Sequence, residues 1–281
     1  IFGQGFVNED HVGGGDAHVF GKSAVPVHAH AHRGFAPLDL TGAAVAATQD
    51  LSLYLSSYGR SNAEANPEIW RDDQNNIDAE LTNFNFVSDG WKLDSEGNTV
   101  LRVTGDARVL IPYNVFEEDF RSTGKTIEIE FSTSIIKNYE SNIISCWSGD
   151  RGFYITPQLA KMKSQQKEIQ TQYKEDEHVR VSFVVEKNVE THLILMYLNG
   201  IMSGCVQYPL DDNFRQLEPV GISIGSNDAT VEIYNIRIYS KGLSPNVVLN
   251  NYIATSGVVD ERVLKALDND IEFKPIVKIE T

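Results

Sequence analysis

The sequence predicts an all-β fold, an antiparallel β-sandwich with an irregular N-terminal arm and a short C-terminal helical extension. Three observations carry this prediction. Short stretches of period-2 alternation recur through residues 83–240, separated by turn residues, as half-buried antiparallel strands require. Leu193–Leu198 runs straight into Asn199-Gly200, a pair suited to the two left-handed positions of a type I′ hairpin turn. The stretch Val220–Ala254 reads as two strands, a Ser226-Asn227-Asp228 turn between them, and a helical exit at Leu243-Ser244-Pro245. There Ser244 suits the N-cap, and Pro245 suits the first helical position, where a missing N–H costs little.

Residues 1–45 differ from all that follows. They hold eight of the 21 glycines and five of the seven histidines (His11, His18, His28, His30 and His32), with no sustained periodicity. Such a segment buries too little apolar area to fold alone, so it reads as a Gly/His-rich extended arm anchored by Phe2, Phe6, Phe20 and Phe35. Residues 46–82 read as a linker with one strand at Leu51, Leu53 and Leu55, then a long loop that pins Trp70 onto a domain surface. Residues 83–244 are the sandwich. Its expected strands are 84–87, 92–93, 100–103, 108–111, 126–132, 143–147, 152–156, 168–173, 179–186, 193–198, 205–208, 220–224 and 230–239. In the stretch TIEIEF, Ile127, Ile129 and Phe131 face one way and Thr126, Glu128 and Glu130 the other, so the acidic side is expected to face outward. Ile129, Phe131, Val181, Phe183, Ile236 and Ile238 are the expected core. Residues 245–281 form the C-terminal extension, with helical character at Asn246–Ile253, a second amphipathic turn at Asp260–Leu267 and a strand-like start in IEFKPIVKIET, residues 271–281, that leads to a further segment.

At 281 residues and 41% hydrophobic content the chain can bury a sizeable core. A net charge of −15 disfavours nucleic acid and anionic membranes as partners, because phosphate binding needs a basic footprint. No run of 18 apolar residues is present. The chain opens on Ile1 with no charged segment ahead of an apolar one, and is read as a fragment or processed product. Cys146 and Cys205 both lie in apolar runs; reduced buried thiols are the default, with a disulfide between them the alternative.

From about Phe84 to Ala254 the order of features resembles the laminin-G-like (concanavalin-type jelly-roll) domains carried by large virion proteins of tailed bacteriophages. The pieces that carry the resemblance are FNFVSDGW, LRVTGDARVLIPYNVF, TGKTIEIEF, YLNG and the closing ISIGSNDATVEIYNIRIY through NNYIA. Upstream, LSLYLSSYGRSNAEANPEIW is similar to linkers in phage minor structural proteins. The resemblance implies a non-enzymatic structural component of a virion, in contact with other virion proteins and with copies of itself. The alternative is an adhesin that binds a bacterial surface glycan, and a third reading is a glycoside hydrolase.

Four constellations bear on chemistry. His28, His30 and His32 would point the same way from an extended chain. They are either metal ligands shared between chains, as HxH pairs are in some phage fibre trimers, or a solvated face. Calcium-binding laminin-G domains use rim-loop carboxylates, for which Asp106, Asp150 and Asp228 are the loop residues to hand, though six to eight converging oxygens are needed. Glu128 and Glu130 stand about 7 Å apart on one strand, a tolerable spacing for two glycosidase carboxylates. Trp70, Trp91, Trp147, Tyr113, Tyr139 and Tyr154 are the large aromatics able to stack on sugar, and most of them read instead as core or loop-pinning residues. Tyr139 and Trp147, which flank one expected hairpin, are the candidate glycan site. His178 and His192 read as ordinary surface or edge residues.

Overall fold

Alternating apolar residues from Leu51 onward build sixteen strands and one helix among the described residues of a computed structural model, which are 46–72, 77–112, 124–148, 151–164, 167–187, 191–209 and 221–256. The strands are β1 (Leu51–Ser56), β2 (Ile69–Asp72), β3 (Ile77–Thr82), β4 (Gly90–Leu93), β5 (Thr99–Val103), β6 (Arg108–Ile111), β7 (Lys125–Ser134) and β8 (Ile144–Ser148). They continue as β9 (Arg151–Thr156), β10 (Leu159–Ser164), β11 (Lys167–Gln172), β12 (Val179–Lys187), β13 (Thr191–Leu198), β14 (Ile201–Pro209), β15 (Ile222–Ile224) and β16 (Thr230–Tyr239). The helix α1 spans Pro245–Ser256.

Two antiparallel eight-stranded sheets result. Sheet A runs β14-β13-β12-β7-β16-β5-β4, with β1 paired to the second half of β16; sheet B runs β11-β10-β9-β8-β15-β6-β3-β2. Period-2 side chains line up across neighbouring strands, so the core of sheet A comes in rows: Phe183, Ile127 and Ile238 in one, Val181, Ile129 and Ile236 in the next. All six are buried. The facing rows of sheet B include Ile144 with Ile155, and Ile222 with Ile111. Phe153 of sheet B stacks on Phe183 of sheet A at 4.3 Å, and Tyr173 meets Phe131 edge-on at 5.5 Å. These contacts join the two layers into one core.

A β-bulge sets which residues of β16 face inward. Before Tyr234 the odd residues Val231 and Ile233 are in the core; after it, the even residues Ile236 and Ile238 are. One extra residue reverses the phase of the strand. The Asn199-Gly200 turn has φ of 52° and 76°, as a type I′ turn demands, and joins β13 to β14.

The sandwich draws on more of the chain than the sequence pattern indicates. β1 pairs with β16, and β2 and β3 belong to sheet B, so residues 46–82 supply three strands rather than a linker with one. Trp70 is not on a surface: it is wholly buried, 5.6 Å edge-on from Trp91, and its indole N–H donates to the Ser56 carbonyl. Residues 84–87, expected as a strand, are a turn held by Asp89, whose Oδ1 accepts the N–H groups of Asn85 and Phe86. β10 had no counterpart among the expected strands. Cys146 on β8 and Cys205 on β14 lie in different sheets, and both are free thiols; burial pushes them up to about 12 and about 11.

Helix α1 begins where the Ser244-Pro245 pattern places it, with the Ser244 carbonyl accepting the N–H groups of Val247 and Val248. It lies against the outer face of sheet A. Leu243 and Val248 pack there with Val184, Leu195, Tyr197 and Tyr239 in a second, smaller apolar cluster. This gives sheet A two buried faces, one toward sheet B and one toward the helix.

Replacing Phe183 by alanine removes the aromatic stack that joins the layers, and is expected to lower stability by ~3–5 kcal/mol. Urea unfolding of wild type and Phe183→Ala checks this; equal midpoints would show that the inward phase of β12 is misassigned.

Candidate functional site

The two carboxylates of TIEIEF are the first candidates, and the fold closes them off. Across the outer face of sheet A the register forms two polar rows, Arg180–Glu130–Asn235 and Ser182–Glu128–Arg237. Glu128 is 0% exposed and Glu130 4% exposed, beneath α1. The expected outward acidic face is therefore a buried one, and its charges are matched by neighbours. Glu130 accepts from Arg180 and from Asn235 Nδ2 at 2.5 Å, and its other oxygen lies 2.7 Å from His178 Nε2. Glu128 accepts from Asn251 Nδ2 of the helix at 3.0 Å and lies 4.0 Å from Arg237, whose guanidinium also sits 4.8 Å over the Tyr54 ring. Arg180 donates in turn to the Asn251 carbonyl and to Thr255.

Electrostatics separate these two acids. Burial by itself would raise the Glu130 carboxyl, but the His178 and Arg180 contacts outweigh it and bring the group down to about 2. Burial dominates at Glu128 and pushes it up, against the pull of Arg180 and Arg237. Together they form a sealed layer that fastens the helix to the sheet. A glycosidase pair must flank a cleft that admits a sugar and a water; these two acids lie under a helix. His178 lies on the surface, as the sequence suggests, and stacks on Tyr234 at 3.9 Å at the exposed edge of this layer, whereas His192 is buried in β13 rather than at a surface or edge.

The outer face of sheet B is different. Among the described residues no element packs over it as α1 packs over sheet A, and its outward positions Gln170, Ser223, Leu110 and Glu80 are exposed. In β8 to β11 the register forms two outward rows, Trp147–Gly152–Lys163–Glu168 and Ser145–Tyr154–Lys161–Gln170. Trp147 and Tyr154 are half-buried and meet edge-to-face at 5.5 Å. The Lys161 ammonium lies 5.8 Å from the centre of the Tyr154 ring and 3.3 Å from Glu168. Rigid aromatics of this kind give large contact area at low entropic cost. Gly152, at φ 131°, has to be glycine: a Cβ would stand 2.0 Å from the Cys146 carbonyl.

Of the two residues expected to hold a glycan, Trp147 is on this open face, and its partner there is Tyr154. Tyr139 lies in the loop after β7, 40% exposed, and donates its hydroxyl to Glu175. Trp70 and Trp91 are core residues, and Tyr113 lies outside the described residues. His28, His30 and His32 also lie outside them, as does Asp150. Asp106 and Asp228 are on described loops, and no cluster of three metal-ligating side chains occurs among the described residues. Lys161 and Lys163 were missed because β10 was missed, although Leu159, Lys161 and Lys163 alternate with Ala160, Met162 and Ser164 as an amphipathic strand should.

No protein-family model and no curated protein matches the sequence. Solved structures match its fold. The crystal structure of the botulinum neurotoxin serotype D binding domain superposes with a TM-score of 0.52 at 12% identity, over 72% of this chain and 50% of that one. The botulinum neurotoxin type G receptor binding domain gives 0.50 at 14% identity, over 75% of this chain and 53% of that one. The chain thus spans about half the length of these solved domains. At such identity the likeness establishes a shared β-sandwich fold.

The Glu130 contacts carry a pH dependence with a definite sign. Its carboxyl titrates near 4.5 in the unfolded chain and at about 2 in the folded one. The stabilisation it provides is therefore complete above about pH 5 and is lost as pH falls toward about 2, amounting to ~3 kcal/mol. Glu130→Gln should be much less stable than wild type near neutrality, and the gap should narrow at about pH 3. Denaturant unfolding at both pH values tests this; a gap that stays constant would rule the ionised Glu130 out as the source.

Proposed function

We propose that this chain is a non-catalytic binding domain that contacts carbohydrate on a cell or particle surface through the open face of sheet B. One observation carries the reading. Of two sheet faces that point away from the core, one is covered by α1, and the other presents Trp147 and Tyr154. Sites that grip sugar rings need such broad apolar faces flanked by hydrogen-bonding groups, and Ser145, Lys161 and Gln170 stand beside this pair. The burial of Glu128 and Glu130 favours binding over hydrolysis. Two proteins of the same fold are named as binding domains, which agrees with a contact role.

A bacteriophage particle is the proposed location, on the strength of the resemblance over Phe84–Ala254. A second reading, a structural virion part that packs against neighbouring proteins or copies of itself, is favoured by Tyr58, Val87 and Leu93, large apolar side chains left 64–90% exposed. On the carbohydrate reading, the intact chain should retain bacterial surface saccharides on a glycan array, and Trp147→Ala should lose them with an unchanged melting temperature. A wild-type chain that retains no saccharide, yet associates with itself in sedimentation, would favour the structural reading instead.

A further inference from the structure

The open face carries a feature beyond its aromatic pair. In a chain of net charge −15, two ammonium groups stand together beside Trp147 and Tyr154. Lys161 and Lys163 are alternate residues of β10, so both project to the outer face, about 7 Å apart along the strand. Lys161 is opposite Tyr154, and Lys163 is opposite Gly152, which in turn is opposite Trp147. Gly152 puts no side chain between Trp147 and Lys163, which are two strand spacings apart, ~10 Å. The outward neighbours on β8 and β9 (Ser145, Trp147, Gly152 and Tyr154) are uncharged. On β11, Gln170 and Gln172 are uncharged and Glu168 is the one acid, 3.3 Å from Lys161. Two positive charges and one negative charge thus flank the rings.

We infer that this face takes a carboxylated saccharide, its ring stacked against Trp147 and Tyr154 and its carboxylates held by Lys161 and Lys163. The inference rests on the carbohydrate reading above and sharpens it. Each ammonium is a point charge with three donors and a flexible stem, able to meet a carboxylate at different positions along a sugar chain. The ionised acceptor makes these hydrogen bonds stronger than those a neutral sugar hydroxyl could offer. Lys161 is also placed to release Glu168, an exposed partner, in exchange for a ligand carboxylate.

Titration calorimetry of the intact chain with oligogalacturonate, and with the same oligosaccharide as its methyl ester, separates charge from ring. The acid form is expected to bind about tenfold more tightly than the ester. The double variant Lys161→Gln, Lys163→Gln should bind both forms equally at the level of the ester, while Trp147→Ala should bind neither. Melting curves confirm that each variant is folded. Equal affinity of the wild-type chain for acid and ester would overturn the carboxylate assignment and leave carbohydrate binding intact. Failure of the wild-type chain to bind either form would also overturn it, and the glycan array then decides separately whether the face binds any sugar.

Discussion

Two buried carboxylates, Glu128 and Glu130, sit on one face of a central strand beneath a helix, and the architecture of sheet A follows from satisfying them. An isolated buried carboxylate is too costly to keep ionised, so each must be met by a donor at a fixed place. The register does this: β12 brings Arg180 beside Glu130, and the second half of β16 brings Arg237 beside Glu128. The bulge at Tyr234 makes the second placement possible. Without that extra residue Ile236 and Ile238 would face outward, and Arg237 would be driven into the apolar core. The helix is then fastened by the groups that the sheet leaves over. Asn251 donates to Glu128 and to the Tyr239 hydroxyl, accepts the Ala47 N–H, and gives its carbonyl to Arg180. One buried amide thus ties together the sheet, the helix and the segment leading into β1.

Much of this was legible in the sequence, and the gaps have physical causes. Strong alternation identified β7, β12, β13 and β16, the Asn199-Gly200 pair identified the hairpin, and Ser244-Pro245 marked the helix start. Alternation says that a strand has two kinds of face but not what covers each one. The Thr126–Glu128–Glu130 side looks like a solvent face because its residues are polar, and only the tertiary fold places α1 over it. The same blindness applies to Trp70: β2 is four residues long, IWRD, too short to show a period, and its burial comes from pairing with β3 and from Trp91. The phase change in β16 was visible as apolar residues at 231 and 233 and then at 236 and 238, a break that a bulge explains.

The candidate site shows the same division. Trp147 was legible as a large aromatic among strand residues, whereas its true neighbour was not. Tyr139 and Trp147 are close in sequence because they flank one connection, but Trp147 meets Tyr154 because the β8–β9 register aligns their rows. Lys161 and Lys163 carry an alternating pattern that could have revealed β10. Their place beside the rings depends on a cross-strand register that no local signal fixes.

The position of β16 governs how this chain can acquire its structure. It is the last strand among the described residues, yet it lies in the middle of sheet A, between β7 on one side and β1 and β5 on the other. Ser57 and the Tyr234 carbonyl, hydrogen-bonded to one another, are 177 residues apart. Loop closure of that length must precede the contacts that reward it, which places the domain among slowly folding, high-contact-order topologies. On a ribosome, strands β1, β5 and β7 emerge with their shared partner still unmade, so apolar rows and strand edges stay uncovered until residue 239 leaves the exit tunnel. Protection of the growing chain, by a chaperone or by rapid completion of synthesis, is the demand that this topology places on the cell that makes it.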